Sequence, residues 1–157
     1  MSFKSIAITL LATAAPLASA IGAAVVKNSC PFPVYLSAVG ATASPVQTLP
    51  PAGGSFSEAP FFVDPKTGGR TIKITREADG LFTGKPQLNF AYTLDGANVW
   101  YDLSNVFGDA FAGYKIVEKS VDAGCGVIVW PAGANPGGPQ VKVCGSGSDV
   151  VLELCAP

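Results

Sequence analysis

Four cysteines, Cys30, Cys125, Cys144 and Cys155, constrain this 157-residue chain more than any other feature. Their spacings contain no C-x-x-C pair, which argues against a zinc site, and an even count in an exported chain implies two disulfides. Four cysteines allow three connectivities. Trp130-Pro131 to Gly137-Gly138-Pro139 reads as a wide loop between two strands, which favours Cys125 with Cys144 as neighbours and leaves Cys30 for Cys155. Such a bridge would staple the first strand of a β domain to the last.

Export is read from the first twenty residues. Lys4 supplies a positive start, Ile6 to Leu11 an apolar run, and Ala18-Ser19-Ala20 a small-residue cleavage site, so residues 1–20 are expected to be a signal peptide. The apolar run is too short to span a bilayer, which takes about 20 residues, and Pro16 breaks the stretch beyond it. Residues 21–157 are then expected to form one domain. Without Lys4, nine basic residues face eleven acidic ones, a balance of −2. That charge attracts neither nucleic acid nor an anionic membrane, and neither is expected as a partner.

The chain has no histidine. This removes Ser-His-Asp and Cys-His nucleophilic pairs and imidazole metal ligation, and leaves acid-base chemistry to carboxylates, Lys or Tyr. No cofactor and no metal are expected.

Eighteen glycines and thirteen prolines punctuate short apolar or alternating runs, and no long 3.6-residue rhythm appears. Nine strands are read: Ala23 to Lys27, Val34 to Val39, Thr71 to Arg76, Leu88 to Leu94, Asn98 to Leu103, Tyr114 to Lys119, Gly126 to Trp130, Val141 to Cys144 and Val150 to Leu154. The fold class expected is all-β, a sandwich or flattened barrel. Asp95-Gly96 marks a tight hairpin. Phe90, Tyr92 and Leu94 share one face of the first strand; across the turn Val99, Tyr101 and Leu103 share one face, while Asn98, Trp100 and Asp102 share the other, which points Asp102 to solvent or a cleft beside Trp100. Phe61-Phe62-Val63 reads as a further strand, with an exposed apolar patch as the alternative.

Three blocks carry a family resemblance. They are Val25-Val26-Lys27-Asn28-Ser29-Cys30-Pro31-Phe32-Pro33-Val34-Tyr35-Leu36, Phe90 to Leu94 with Trp100 to Gly108, and Leu152-Glu153-Leu154-Cys155. In this order they resemble thaumatin-like proteins. Asp109-Ala110-Phe111-Ala112-Gly113 and Cys125 to Pro131 resemble in particular the small secreted fungal branch, with its antigenic, conidial-germination and Blastomyces yeast-phase-specific members. The resemblance implies a two-sheet β-sandwich closed by an N- to C-terminal disulfide. Large plant members add a second domain and an acidic cleft associated with antifungal activity and β-1,3-glucan. By motif position Arg76 and Asp102 match that cleft, whereas its glutamate falls at Ala91 and another aspartate at Val99.

The ligand-binding candidates are therefore Arg76, Trp100, Asp102, Asp109 and Trp130, with no catalytic residue assigned. Glycoside cleavage needs two carboxyl groups about 5–9.5 Å apart. Asp102 and Asp109 are the candidate pair, with Asp95 and Glu77 as outsiders, and Asp102 also reads as a strand-end acceptor and Asp109 as a turn-former beside Gly108. The expectation is a secreted, monomeric, non-enzymatic protein acting at or near a fungal wall. Its partner is expected to be wall polysaccharide such as β-glucan, or a surface protein. A weak β-1,3-glucan hydrolase or antifungal protein with a reduced acidic cleft, and an effector binding a host protein, are the alternatives.

Overall fold

Alternating side chains and frequent turn residues give a chain that buries one face of each strand, and two such sheets must close on each other. A computed structural model describes residues 20–157; the signal-peptide reading lies largely outside them. Eleven strands are present among the described residues: β1 (Ala24–Asn28), β2 (Val34–Val39), β3 (Gln47–Leu49), β4 (Gly54–Glu58), β5 (Gly69–Thr75), β6 (Gln87–Asp95), β7 (Asn98–Val106), β8 (Ile116–Ser120), β9 (Val127–Trp130), β10 (Val141–Gly145) and β11 (Val150–Leu154). One short helix, α1 (Gly80–Thr83), joins β5 to β6.

The strands form a five-stranded sheet, β4-β1-β11-β8-β9, and a six-stranded sheet, β10-β7-β6-β5-β2-β3. Val26, Ile116, Leu152 and Trp130 from the first meet Leu36, Ile72, Ile74, Phe90, Tyr92, Tyr101 and Leu103 from the second in one buried core. This is the thaumatin-like two-sheet β-sandwich expected from the sequence. The inner faces of the β6–β7 hairpin are those read from the alternation, and Gly96, at φ 58°, takes the left-handed turn position that glycine adopts without cost.

The first and last described strands meet inside one sheet. β1 runs parallel to β11, Ala24 beside Val150 and Asn28 beside Leu154, so Cys30 and Cys155 emerge together and are bonded, with Cα atoms 4.9 Å apart. Cys125 is bonded to Cys144 at 5.5 Å. Both bridges have the expected partners. Buried Asn28 secures the turn after β1: its Nδ2 donates to the carbonyls of Phe32, Leu49 and Pro50, and its Oδ1 accepts from the Cys30 amide.

Two strands and one segment differ from the sequence reading. β3 and β4 were not anticipated, because Gln47-Thr48-Leu49 and Gly54-Ser55-Phe56-Ser57-Glu58 are largely polar edge strands. Phe61-Phe62-Val63 is not a strand: Phe61 is buried against Tyr92, whereas Phe62 and Val63 are exposed.

Candidate functional site

The outer face of the six-stranded sheet carries a shallow trough. Because β7 places Val99, Tyr101 and Leu103 in the core, Trp100 and Asp102 must face outward. Trp100 is 45% exposed and sits opposite Thr93 on β6 and Val143 on β10. Asp102 sits opposite Ala91 and Val141. These residues line a hollow of about 240 Å³.

A second hollow, of about 320 Å³, shares Ala91, Tyr92 and Thr93 with the first and extends to Thr71, Lys73, Gly69, Arg70 and Val39. The trough thus runs across the strands from Trp100 to Lys73. On the core-facing side of the same strands, Arg70 donates through Nη2 to Glu58 Oε1 at 2.7 Å, and Tyr92, opposite Arg70, also donates its hydroxyl to the Glu58 carboxylate. The Phe62 ring lies 4.5 Å from the Arg70 guanidinium. The hydrogen bond from Arg70 to Glu58 holds the guanidinium pKa above its ordinary value, and burial holds the Tyr92 phenol protonated.

Asp102 is half-buried, and that burial raises its carboxyl pKa. The acid electrostatically coupled to it is Glu118, which β8 points into the core beneath. Glu118 is fully buried and neither carboxylate oxygen has a hydrogen-bond partner. Burial first, and then the Asp102 charge, push its pKa well above the usual carboxylate range. Its position was legible from parity, since Ile116, Glu118 and Ser120 share one face of β8.

The five sequence candidates separate. Trp100 and Asp102 come together in one hollow. Arg76 lies beyond the end of β5, where its guanidinium covers the Phe32 ring at 3.9 Å and lines a different hollow with Glu77, Pro86 and Ala110. Asp109 is in an exposed loop, accepting a hydrogen bond from Asn105 Nδ2. Trp130 is a correction. It is wholly buried, with Nε1 donating to Gln140 Oε1 at 2.7 Å, so its ring offers no platform to a ligand. Lys73, Thr71 and Thr93 were missed, because nothing local distinguishes them from other polar positions on a strand.

Cys125 and Cys144, which lie close to Asp122, are joined in the second bridge, so their sulfurs are not free thiolates for a metal.

The sequence is 31% identical over 131 residues to an antigenic thaumatin-like protein of Arthroderma benhamiae, covering 82% of this chain and 65% of that protein. It is 35% identical over 123 residues to the secreted thaumatin-like protein calA of Emericella nidulans, covering 75% of this chain and 67% of that one. The chain thus spans about two thirds of the length of these relatives. Among solved structures it is similar to the protein elicitor MoHrip2 from Magnaporthe oryzae, with TM-score 0.67, 26% identity, and coverage of 86% of this chain and 99% of that one. The thaumatin-like xylanase inhibitor TLXI shares the fold, with TM-score 0.57, 15% identity and coverage of 85% and 99%. The family profile described as Blastomyces yeast-phase-specific protein matches residues 11–156. With its paired first and last strands, two bridges and two-sheet core, the chain belongs to the Blastomyces yeast-phase-specific protein family of secreted thaumatin-like proteins.

Proposed function

We propose that the protein is a non-catalytic wall-binding module that holds a linear polysaccharide, such as β-glucan, across the outer face of its six-stranded sheet. The observation that carries this reading is the trough in which half-exposed Trp100 stands beside the single carboxylate Asp102, with Thr93 and Thr71 along its length. An indole face covers the C–H face of a sugar ring, while a carboxylate and threonine hydroxyls accept and donate to its hydroxyls. Ala91 opposite Asp102 argues against glycoside hydrolysis, because the second carboxyl that cleavage requires is replaced by a methyl group. Glu118 does not supply it, being sealed in the core. Export by removal of residues 1–20 places the module outside the cell.

The test is retention of the purified secreted chain on insoluble β-1,3-glucan and chitin, with released sugar assayed in the supernatant. The expected result is retention without release, weakened about tenfold in Trp100→Ala, equivalent to about 1.4 kcal/mol. Equal retention of Trp100→Ala and wild type, or release of reducing ends that Asp102→Asn abolishes, overturns the reading.

A second reading is contact with a host protein, favoured by the likeness to the elicitor MoHrip2 and by Phe82 and Phe107, which are 75% and 68% exposed. Aromatic side chains presented this openly suit a protein interface. Loss of host response in a Phe82→Ser, Phe107→Ser double variant that keeps its glucan retention separates this reading from the first.

A further inference from the structure

We infer that the free edge of β10 is a docking site for an extended peptide strand carrying an acidic residue between two apolar ones. The hydrogen-bond phase of the β7–β10 ladder fixes which backbone groups are free. The Leu103 amide donates to the Gln140 carbonyl and the Ser146 amide to the Ala97 carbonyl, at 3.2 and 2.8 Å. Hydrogen-bonded pairs alternate along an antiparallel ladder, so Lys142 and Cys144 also direct their amides and carbonyls at β7, while Val141, Val143 and Gly145 turn theirs away. The Gly145 carbonyl is taken by the Ser148 amide. Val141 and Val143 are left with two N–H and two C=O groups, and β7 is the strand paired with β10.

Their side chains strengthen the case. Val141 and Val143 are 49% and 41% exposed, and with Trp100 beside Val143 they form an apolar strip along the edge. Unpaired backbone groups next to an apolar strip are what strand addition uses, the main chain supplying affinity and alternate side chains supplying selectivity.

Lys142 selects the occupant. It lies between the two valines on the inner side of the sheet, half-buried, its aliphatic stem close over Gly126. The ion pair among the described residues joins Arg70 to Glu58, so the Lys142 ammonium has no carboxylate within ion-pair distance. An antiparallel strand that hydrogen-bonds to Val141 and Val143 places one of its own side chains directly opposite Lys142. A second copy of this chain paired by a two-fold axis at Lys142 would put lysine opposite lysine, which like-charge repulsion disfavours, and one at Val141 or Val143 would set Gln140 or Cys144, neither of them acidic, opposite Lys142. An aspartate or glutamate in that place completes the pair. The surface therefore fits an apolar-acidic-apolar segment of another protein.

The experiment is amide hydrogen exchange of the whole secreted chain by NMR, with the blocked peptide Thr-Val-Glu-Val-Thr as probe and Thr-Val-Lys-Val-Thr as its comparison. The Val141 and Val143 amides should exchange freely alone and slow at least tenfold with the glutamate peptide. That peptide should bind at least threefold more tightly than the lysine peptide, and Lys142→Glu should reverse the order. Lys142→Gln, which keeps the half-buried stem, should abolish the preference if Lys142→Glu fails to fold. Protection of both amides before peptide is added, no slowing at millimolar peptide, or a preference unchanged by either variant overturns the inference. Glucan retention is a separate readout, so this site and the wall-binding reading fail independently.

Discussion

Asp102 and Ala91 stand directly opposite one another on β7 and β6, so the carboxylate of the trough faces a methyl group across the strand pair. The resulting trough has an aromatic wall, one carboxylate and several hydroxyls. On the proposed reading, these groups hold a sugar ring through the indole face and the polar side chains around it.

Burial raises the Asp102 pKa, so this carboxylate protonates at a higher pH than an exposed aspartate, whose pKa is about 3.9. Glucan retention should change across the acidic range with a midpoint above that value, because the neutral acid donates where the anion only accepts. Asp102→Asn should be flat over the same range. Retention against pH for the two proteins checks this.

Glu118 should make the fold less stable as pH rises. Its folded pKa is raised, so the unfolded chain loses this proton first, near pH 4.3, while the folded protein keeps it. Its full share of stability is present below that pH and is lost progressively up to the folded pKa, by up to about 1.4 kcal/mol per pH unit. Glu118→Gln should flatten this dependence, so that its Tm gains on wild type as pH rises above about 4.3. Thermal unfolding from pH 4 to 8 measures both slopes.

Asp64 acts in the opposite direction. Its Oδ1 accepts from the Lys66 and Thr67 amides and its Oδ2 from the Ala41 amide, tying the loop after β2 to the turn before β5. The Ala41 hydrogen bond first, then those of Lys66 and Thr67, hold its pKa down to about 2. The folded pKa is depressed, so this contribution is present above about pH 4 and is lost as pH falls through 2. Asp64→Ala should lower Tm at pH 7 and narrow the gap to wild type near pH 2, measured by the same unfolding series.

The two bridges should differ in cost. Cys30–Cys155 closes a sequence separation of 125 and Cys125–Cys144 one of 19. On loop-closure entropy their removal costs about 5 and about 3 kcal/mol respectively. Urea unfolding of Cys30→Ser/Cys155→Ser and Cys125→Ser/Cys144→Ser should rank them in that order, with the terminal pair the more damaging.

From the residues alone the chain reads as an all-β sandwich or flattened barrel with alternating faces in the β6–β7 hairpin, because alternation and turn chemistry are set by the local geometry of an extended chain. The choice of the sandwich rests on the family resemblance and the disulfide pairing on cysteine spacing. The sequence also put Trp100 and Asp102 on one outer face. Polar β3 and β4 were hidden from it, since an edge strand in Gly54-Ser55-Phe56-Ser57-Glu58 is defined by its pairing with β1 and not by its own pattern. Only the tertiary structure decided what each face meets. It sealed Trp130 and Glu118 between the sheets, parted Arg76 from Asp102, joined Lys73 to the trough and left β10 unpaired on one side. Strand period fixes on which side a residue lies, whereas burial and neighbours depend on chain segments far away in sequence.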